Sequence, residues 1–380
     1  MKRIYYLYLC NLFLGFHYYL IIYVNSSFLG KFVDNKVVDL LYIGGALLNI
    51  LFFILSPRLL GRFELKTMTL GIIVLEFLTL FILSRAESAL SVVIFFIIQQ
   101  GIGSLIVYCL DIYLEAEMPN EKNTGSKRAV YLTAMNISLI ASFFLVSLLA
   151  SDNSFSIIYL ISAMMLLPII FIVGVRLTRR IPRSPYVSVR SALAFISKDF
   201  DILRILFGNF ILQIFYSVMV IYLPILLHKV IGFAWSQVGL ILIIMILPFI
   251  IFEIPVGRMI DRKTGEKEFL FLGFIIMAAA CFTIPFLHEQ IFWLWAMLLF
   301  ISRIGASLVE IASESYFFKK VTERHESVVS LFRMTQSLAY VVSPLIAIPA
   351  LLYFPPSSLF DLLGGICLLG LLVLPKRDTR

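Results

Sequence analysis

Long apolar runs dominate the chain, and short polar stretches separate them. A run of roughly 20 apolar residues is long enough for a helix to cross a hydrocarbon core of about 30 Å. Because lipid offers the backbone no hydrogen-bond partner, runs of this length without strict alternation are expected to be helices. The pattern predicts twelve transmembrane helices, centred near Gly15, Asn49, Phe77, Ile102, Leu139, Met165, Leu212, Ile246, Ile276, Ile304, Ala339 and Ile366.

Polar marks inside the apolar runs repeat at an offset of about 200 residues. Drift among apolar residues would rarely keep such positions in step, so the chain is expected to hold two similar six-helix bundles. We place them at residues 1–180 and 201–380, joined by a cytoplasmic linker at 181–200, with a substrate site at the seam. The residues that recur are Asn11, Leu14 and Tyr18, which match Asn209, Leu212 and Tyr216, and Ile102-Gly103, which match Ile304-Gly305.

The first helix of each group of three carries a polar face, which predicts that helices one, four, seven and ten surround a common wet interior. Helices six, nine and twelve carry almost nothing polar in their interiors, as expected of helices that face lipid or pack as scaffold. The polar faces are Asn11, Gly15 and Tyr18; Gln100, Ser104, Asp111 and Glu115; Asn209, Gln213 and Tyr216; and Arg303, Ser307, Glu310 and Glu314.

Composition and charge place the chain in a bilayer. It is 61% hydrophobic and 14% charged, which leaves too little polar surface for a water-soluble globule of 380 residues. Lys and Arg gather on one side, so the positive-inside rule puts both termini in the cytoplasm. This asymmetry also explains the net charge of +8, so we expect no nucleic-acid partner. The basic side includes Lys2, Arg58, Arg62, Lys122, Lys127, Arg128, the cluster from Arg176 to Arg204, Arg258, Lys263, Lys319, Arg324, Arg333, Arg377 and Arg380.

Several catalytic motifs are absent from the sequence. There is no GxxxxGK[ST] phosphate loop, no GxSxG elbow and no HExxH or Cys/His cluster. The four cysteines all lie inside predicted helices without CxxC spacing, which is typical of apolar packing residues. We therefore expect a protein that is not an enzyme and that needs no cofactor and no metal.

The loop after the eighth predicted helix resembles a known motif. Glu253 to Arg262, followed by Gly265 and Lys267, is similar to the GxxxDRxGRK loop of the major facilitator superfamily. The equivalent first-half stretch keeps Arg62 but has Gly61 at the acidic position. The resemblance covers essentially the whole chain and implies a secondary transporter that works by alternating access.

The same loop supplies a candidate cytoplasmic gate. Gly257 would let two helices approach closely, and Asp261 could pair with basic groups and accept from amides at a helix N-terminus. The family resemblance implies that Asp261 and Arg262 meet Glu310 or Glu314 and the region near Arg128. By the repeat, Arg62 would meet Asp111 or Glu115. The alternative is that all of these are ordinary charges at the membrane surface.

Arg303 lies near the predicted bilayer midplane, where a charge costs at least about 3 kcal/mol. We expect it to face the central cavity and bind an anionic or polar part of the substrate; the alternative is a fixed ion pair. Further hydrogen-bonding residues are expected to line the cavity, or else to hold helices together. They are Tyr18, Gln99, Gln100, Asn209, Gln213 and Tyr216.

His17 and Glu76 are the other ionisable groups predicted at mid-membrane depth. Burial disfavours the charged form of either side chain, so each is a candidate for proton exchange. The alternative for both is a packing role. We expect a multi-pass transporter of the plasma or inner membrane that moves a small molecule as a monomer, with proton coupling, and with efflux favoured by analogy. A non-transporting receptor or sensor on the same scaffold is the alternative.

Overall fold

The structure, a computed structural model, describes residues 2–22, 24–118, 124–149, 155–177, 189–262, 265–321, 326–376 and 378–379. Throughout these ranges the regular structure is helical, and they contain no strand. Eleven helices are long and apolar enough to cross a membrane, and a shorter apolar helix covers Ser358–Val373. The predicted all-α membrane fold is therefore confirmed, with the last predicted span shorter than the others.

The first half of the chain contains nine helices within the described ranges, of which α7 and α8 together form one apolar span, Phe155–Val175. The bounds are α1 (Lys2–Ile22), α2 (Asn25–Leu29), α3 (Asn35–Arg62), α4 (Leu65–Ser84), α5 (Ala89–Ala116), α6 (Thr124–Leu149), α7 (Phe155–Met164), α8 (Leu166–Val175) and α9 (Val189–Ile196).

The second half follows the same plan. The bounds are α10 (Phe200–Ile221), α11 (Leu223–Ile225) continued by a π turn (Leu226–Val230), α12 (Trp235–Arg262), α13 (Glu266–Thr283), α14 (Phe292–Lys320), α15 (Glu326–Tyr353) and α16 (Ser358–Leu369) continued by a 3-10 turn (Gly370–Val373).

Local signals set several helix starts. Asp199 precedes α10, and its carboxylate accepts from the backbone N–H groups of Asp201 at 3.0 Å and Ile202 at 3.3 Å. Ser88 precedes α5 and accepts from the N–H of Ser91 at 3.3 Å. These side chains satisfy amides that have no partner within the helix, which favours a start at that residue.

The contacts between residues divide the chain into two compact units. Unit 1 contains Met1–Pro119, Ala134–Leu193 and Val321–Ser337. In it α4 packs against α5 and α7, α3 packs against α5, and α1 packs against α7. Leu20, Val24 and Ile158 form a buried cluster in this unit.

Unit 2 contains Asn120–Thr133, Ala194–Lys320 and Leu338–Arg380. In it α14 packs against α12 and α13, and α13 packs against α16. The backbones of α13 and α14 come unusually close, since a Cβ added to Gly305 would lie 2.6 Å from the carbonyl oxygen of Gly273. Only glycine allows this approach.

The units differ from the predicted halves in two short segments. Residues 120–133 group with most of the second half, and residues 321–337 group with most of the first. The predicted boundary at residues 181–200 stays a prediction, and its part at 181–188 lies outside the described residues. The same is true of the predicted cytoplasmic residues Lys122, Lys263, Arg324, Arg377 and Arg380.

Candidate functional site

Unit 1 holds a buried polar cluster built from four different helices. His17 on α1 and Glu76 on α4 are both completely buried, and His17 Nε2 lies 3.3 Å from Glu76 Oε1. Gln99 on α5 donates from Nε2 to the same carboxylate oxygen at 3.3 Å. Ser162 on α7 contacts His17 Nδ1 at 2.9 Å. The structure therefore brings the two predicted proton-exchange candidates together.

The cluster retains unused hydrogen-bonding capacity. Among the described residues, three atoms of the cluster have no hydrogen-bond partner: Glu76 Oε2, Gln99 Oε1 and His17 Nε2. A buried carboxylate oxygen without a partner costs free energy, so the charge on Glu76 depends on His17 and Gln99 for its stabilisation. In the structure the amide of Gln99 donates to Glu76, and its predicted place in the substrate cavity stays a prediction.

Unit 2 holds a second polar cluster around Tyr216 on α10. The guanidinium of Arg303 lies over the rings of Phe215 and Tyr216, at 4.9 Å and 5.4 Å from their centroids. The Tyr216 hydroxyl donates to Glu310 Oε2 at 2.9 Å. Arg303 and Glu310 both lie on α14, and Arg303 is only 4% exposed. Cation–π contact with two rings stabilises a positive charge that is largely removed from water.

Glu253 on α12 is another acid of unit 2, and the sequence analysis did not single it out as a site residue. It is completely buried, and its Oε2 accepts from the hydroxyl of Thr133 at 2.9 Å. The signal that could have found it is an acidic residue inside an otherwise apolar run. Glu253 also acts electrostatically on the Tyr216 hydroxyl, together with Glu310 and Arg303.

Asp261 lies at the end of α12 and caps the start of α6. Its Oδ1 accepts from the N–H of Gly125 at 3.0 Å, and its Oδ2 accepts from the N–H and the hydroxyl of Ser126, each at 2.7 Å. A carboxylate at a helix N-terminus satisfies free amides and interacts favourably with the helix dipole. Gly257, one turn earlier, permits the approach, because a Cβ there would lie 2.6 Å from the carbonyl oxygen of Gly125.

Lys319 at the end of α14 joins two acids near this cap. Its Nζ lies 3.4 Å from Asp261 Oδ1 and 2.8 Å from Glu266 Oε1. The hydroxyl of Thr379, near the end of the chain, donates to the same Glu266 oxygen at 2.6 Å. Both acidic residues that flank this loop, Asp261 and Glu266, therefore have partners.

Two ion pairs link residues from opposite halves of the sequence. Within unit 2, Arg128 on α6 lies 3.5 Å from Glu314 on α14, with its guanidinium 3.3 Å from the ring centroid of Phe318. Within unit 1, Arg333 on α15 lies 2.5 Å from Asp111 on α5. Each pair therefore joins an arginine near the start of one helix to an acid near the end of another.

The two arginines of the motif do not have the partners that the family resemblance implied, whereas Asp261 contacts Gly125 and Ser126, close in sequence to Arg128. Arg62 and Arg262 are exposed, and within the described chain neither forms an ion pair with Asp111, Glu310 or Glu314. These two arginines are the last residues of α3 and α12, where the guanidinium can stay hydrated. Arg128 and Arg333 are less exposed and lie beside the acids, so they supply the compensating charge.

The remaining predicted cavity residues are distributed over both units. Tyr18, Gln100, Gln213 and Tyr216 are half-buried, and Asn209 is buried. Glu115, predicted as a gate residue, is also buried.

A further contact in unit 1 was not predicted. Asn49 donates to the carbonyl oxygen of Gly101 at 2.8 Å and accepts from the hydroxyl of Ser337 at 2.5 Å. No group of His, Cys, Asp or Glu in the part of the chain that the structure describes could hold a metal ion.

Comparison with known proteins gives a family and a fold. The model of the Major Facilitator Superfamily matches residues 7–344, and it matches again over residues 205–380. No curated protein sequence matches the chain.

Several solved structures share the fold over nearly their whole length. The human organic anion transporter MFSD10 (TETRAN) is 15% identical with a TM-score of 0.80, and the match covers 98% of this chain and 99% of that one. A bacterial homologue of the iron transporter ferroportin is 14% identical, with a TM-score of 0.78 and coverage of 98% and 97%. The proton:xylose symporter XylE is 15% identical, with a TM-score of 0.76 and coverage of 97% and 94%.

The family match spans most of the residues, and the helical architecture agrees with it. The chain therefore belongs to the major facilitator superfamily and is a multi-pass membrane transporter.

Proposed function

We propose that this transporter moves a small solute by alternating access and couples the movement to protons at His17 and Glu76. The observation that carries the proposal is the contact of 3.3 Å between these two completely buried side chains. A buried acid and a buried base in contact can take up and release a proton with less free-energy cost than either group alone. A proton that crosses a potential of 100 mV supplies about 2.3 kcal/mol, enough to drive solute accumulation.

The fold accommodates this type of coupling, since one structural neighbour is a proton:xylose symporter. We infer export as the direction, by analogy with the family at large. We also propose that the protein works as a monomer, with both termini in the cytoplasm.

For the solute itself, we propose a site on the second half of the chain that includes Arg303, Tyr216 and Glu310. Arg303 would bind an anionic or polar group of the solute. Two aromatic rings hold its guanidinium in place, and the Tyr216 hydroxyl connects the same site to Glu310. A preoriented guanidinium pays less ordering entropy when it binds a carboxylate or a similar group. Asn209 and Gln213 complete the proposed lining, and Tyr18 and Gln100 stay candidates from the sequence alone.

For the gate, we propose that the contacts of Asp261 form when the cytoplasmic mouth closes and break when it opens. The four groups that bind Asp261 lie on α6 and α14, so opening would expose the amides of α6 to water. The ion pairs Arg128–Glu314 and Arg333–Asp111 would act with this cap. Arg62, Glu115 and Arg262 stay gate candidates in this proposal.

The coupling proposal predicts a specific uncoupled variant. Proteoliposomes would be tested for uptake of radiolabelled sugars, organic anions and organic cations, with and without an imposed pH gradient. The gradient should accelerate the flux of at least one solute in the wild type. Glu76→Gln should keep solute exchange at zero gradient but lose the acceleration, because glutamine resembles the protonated acid and cannot release a proton.

Glu268→Gln is the matched control, since Glu268 is exposed on α13. It should respond to the gradient like the wild type. Equal acceleration in Glu76→Gln and the wild type would remove Glu76 from the coupling.

The substrate-site proposal predicts a binding defect in Arg303→Gln. Loss of a charge-assisted hydrogen bond costs roughly 1.5–3 kcal/mol, so the KM for a transported solute should rise by at least about tenfold. Arg85→Gln, at an exposed position after α4, should leave the KM unchanged. Wild-type kinetics in Arg303→Gln at equal expression would show that Arg303 has only a structural role.

The gate proposal predicts that Asp261→Asn lowers the flux while solute binding persists. The amide keeps the size of the side chain but loses the charge that the α6 amides and Lys319 stabilise. Flux and equilibrium binding of the same solute would be compared, with Asp361→Asn as an exposed control on α16. Full flux in Asp261→Asn would argue against the gate. A wild type that binds solutes without any flux would instead indicate a sensor.

A further inference from the structure

The hydroxyl of Ser162 contacts His17 at two different atoms. It lies 2.8 Å from the backbone carbonyl oxygen of His17 and 2.9 Å from its Nδ1. A carbonyl oxygen can only accept, so the single hydroxyl hydrogen of Ser162 is donated to it. The hydroxyl then offers a lone pair to Nδ1, and Nδ1 must carry a hydrogen.

This assignment determines what His17 presents to Glu76. With the hydrogen on Nδ1, a neutral imidazole has a bare lone pair at Nε2, which lies 3.3 Å from Glu76 Oε1. If Glu76 were ionised at the same time, two acceptors would face each other in a site that excludes water. One further proton between Nε2 and Oε1 removes this repulsion, whether the proton resides on the imidazole or on the carboxyl group.

We propose that His17 and Glu76 hold one exchangeable proton between them, and that Ser162 is the positioning residue that fixes the tautomer. With that proton the pair is neutral overall. Losing it leaves a buried negative charge, and gaining a second leaves a buried positive charge. Both states are costly away from water. The assignment rests on the proposed function, since it names the stoichiometry of the coupling site as one proton.

The surroundings add no other charge to the pair. Among the described residues, no other ionisable side chain contacts His17 or Glu76. Gln99 and Ser162 are the neutral partners. The other charged side chains that the structure describes on α1, α4, α5, α7 and α8 lie near helix ends: Arg3 with Glu117, Lys66 with the Gly174 carbonyl oxygen, Asp111 with Arg333, and Glu115.

The tautomer can be measured by NMR on the full-length protein labelled with ¹⁵N-histidine in lipid nanodiscs. The chain has four histidines, so the signal of His17 is assigned as the one lost in His17→Gln. The wild type should show a hydrogen on Nδ1 of His17 at every pH at which the protein stays folded. A neutral His17 with its only hydrogen on Nε2 would overturn the proposal without any further variant.

The role of Ser162 is tested by two substitutions. Ser162→Ala should mix the two tautomers of His17 and leave the signal of the exposed His288 unchanged, and Ser162→Thr should restore the wild-type spectrum. An unchanged spectrum in Ser162→Ala would overturn the positioning role.

The outcomes separate this inference from the proposed function. The expected tautomer without any flux driven by a pH gradient would overturn the coupling and leave the hydrogen-bond assignment standing. Flux driven by the gradient with the opposite tautomer would support proton coupling but overturn the assignment of a single shared proton.

Discussion

A charged side chain among membrane-spanning helices needs a partner, because the hydrocarbon core offers no water to stabilise it. In the described chain this constraint selects which helices meet. His17 and Glu76 connect α1 to α4, Arg333 and Asp111 connect α15 to α5, and Arg128 and Glu314 connect α6 to α14. A buried ion pair tolerates little rotation of either helix about its axis, because rotation would leave a charge without its partner. The polar contacts therefore determine the arrangement that the apolar residues fill.

The two linking ion pairs show how the internal repeat is used. Each takes its arginine from one half of the sequence and its acid from the other, and each lies inside one of the compact units. The loops that follow α3 and α12 are less alike. The second half has Asp261, which caps α6, whereas the first half has Gly61 at the equivalent position and cannot form such a cap. The proposed gate therefore has an aspartate cap in the second half of the sequence and a glycine at the equivalent position in the first.

The sequence was sufficient for the helices, the fold class and the family, because run length and polar spacing are local properties. It also predicted that Asp261 could accept from amides at a helix N-terminus, and the structure shows this contact. Partners of charged residues were harder to predict. The position of Asp111 along its helix gives its depth but not its neighbour, and its partner Arg333 is distant in sequence.

The same reason explains the missed residues. Ser162 has no feature in the sequence that separates it from any other serine in an apolar helix, and its role emerges only from its distances to His17. Glu253 is an acid inside an apolar run, which the sequence shows, but the sequence does not show that Thr133 is its partner. Gln99 contacts Glu76 through the packing of α5 against α4, which the sequence does not give, and successive residues such as Gln99 and Gln100 point in different directions around a helix.

The central claim is that one buried, neutral acid–base pair carries the proton that drives this transporter. The most direct measurement is the number of protons moved per solute molecule, obtained in proteoliposomes from the solute gradient that balances a set of imposed pH gradients at zero membrane potential. A ratio of one is the predicted result. Solute gradients that stay the same at every imposed pH difference would contradict the claim.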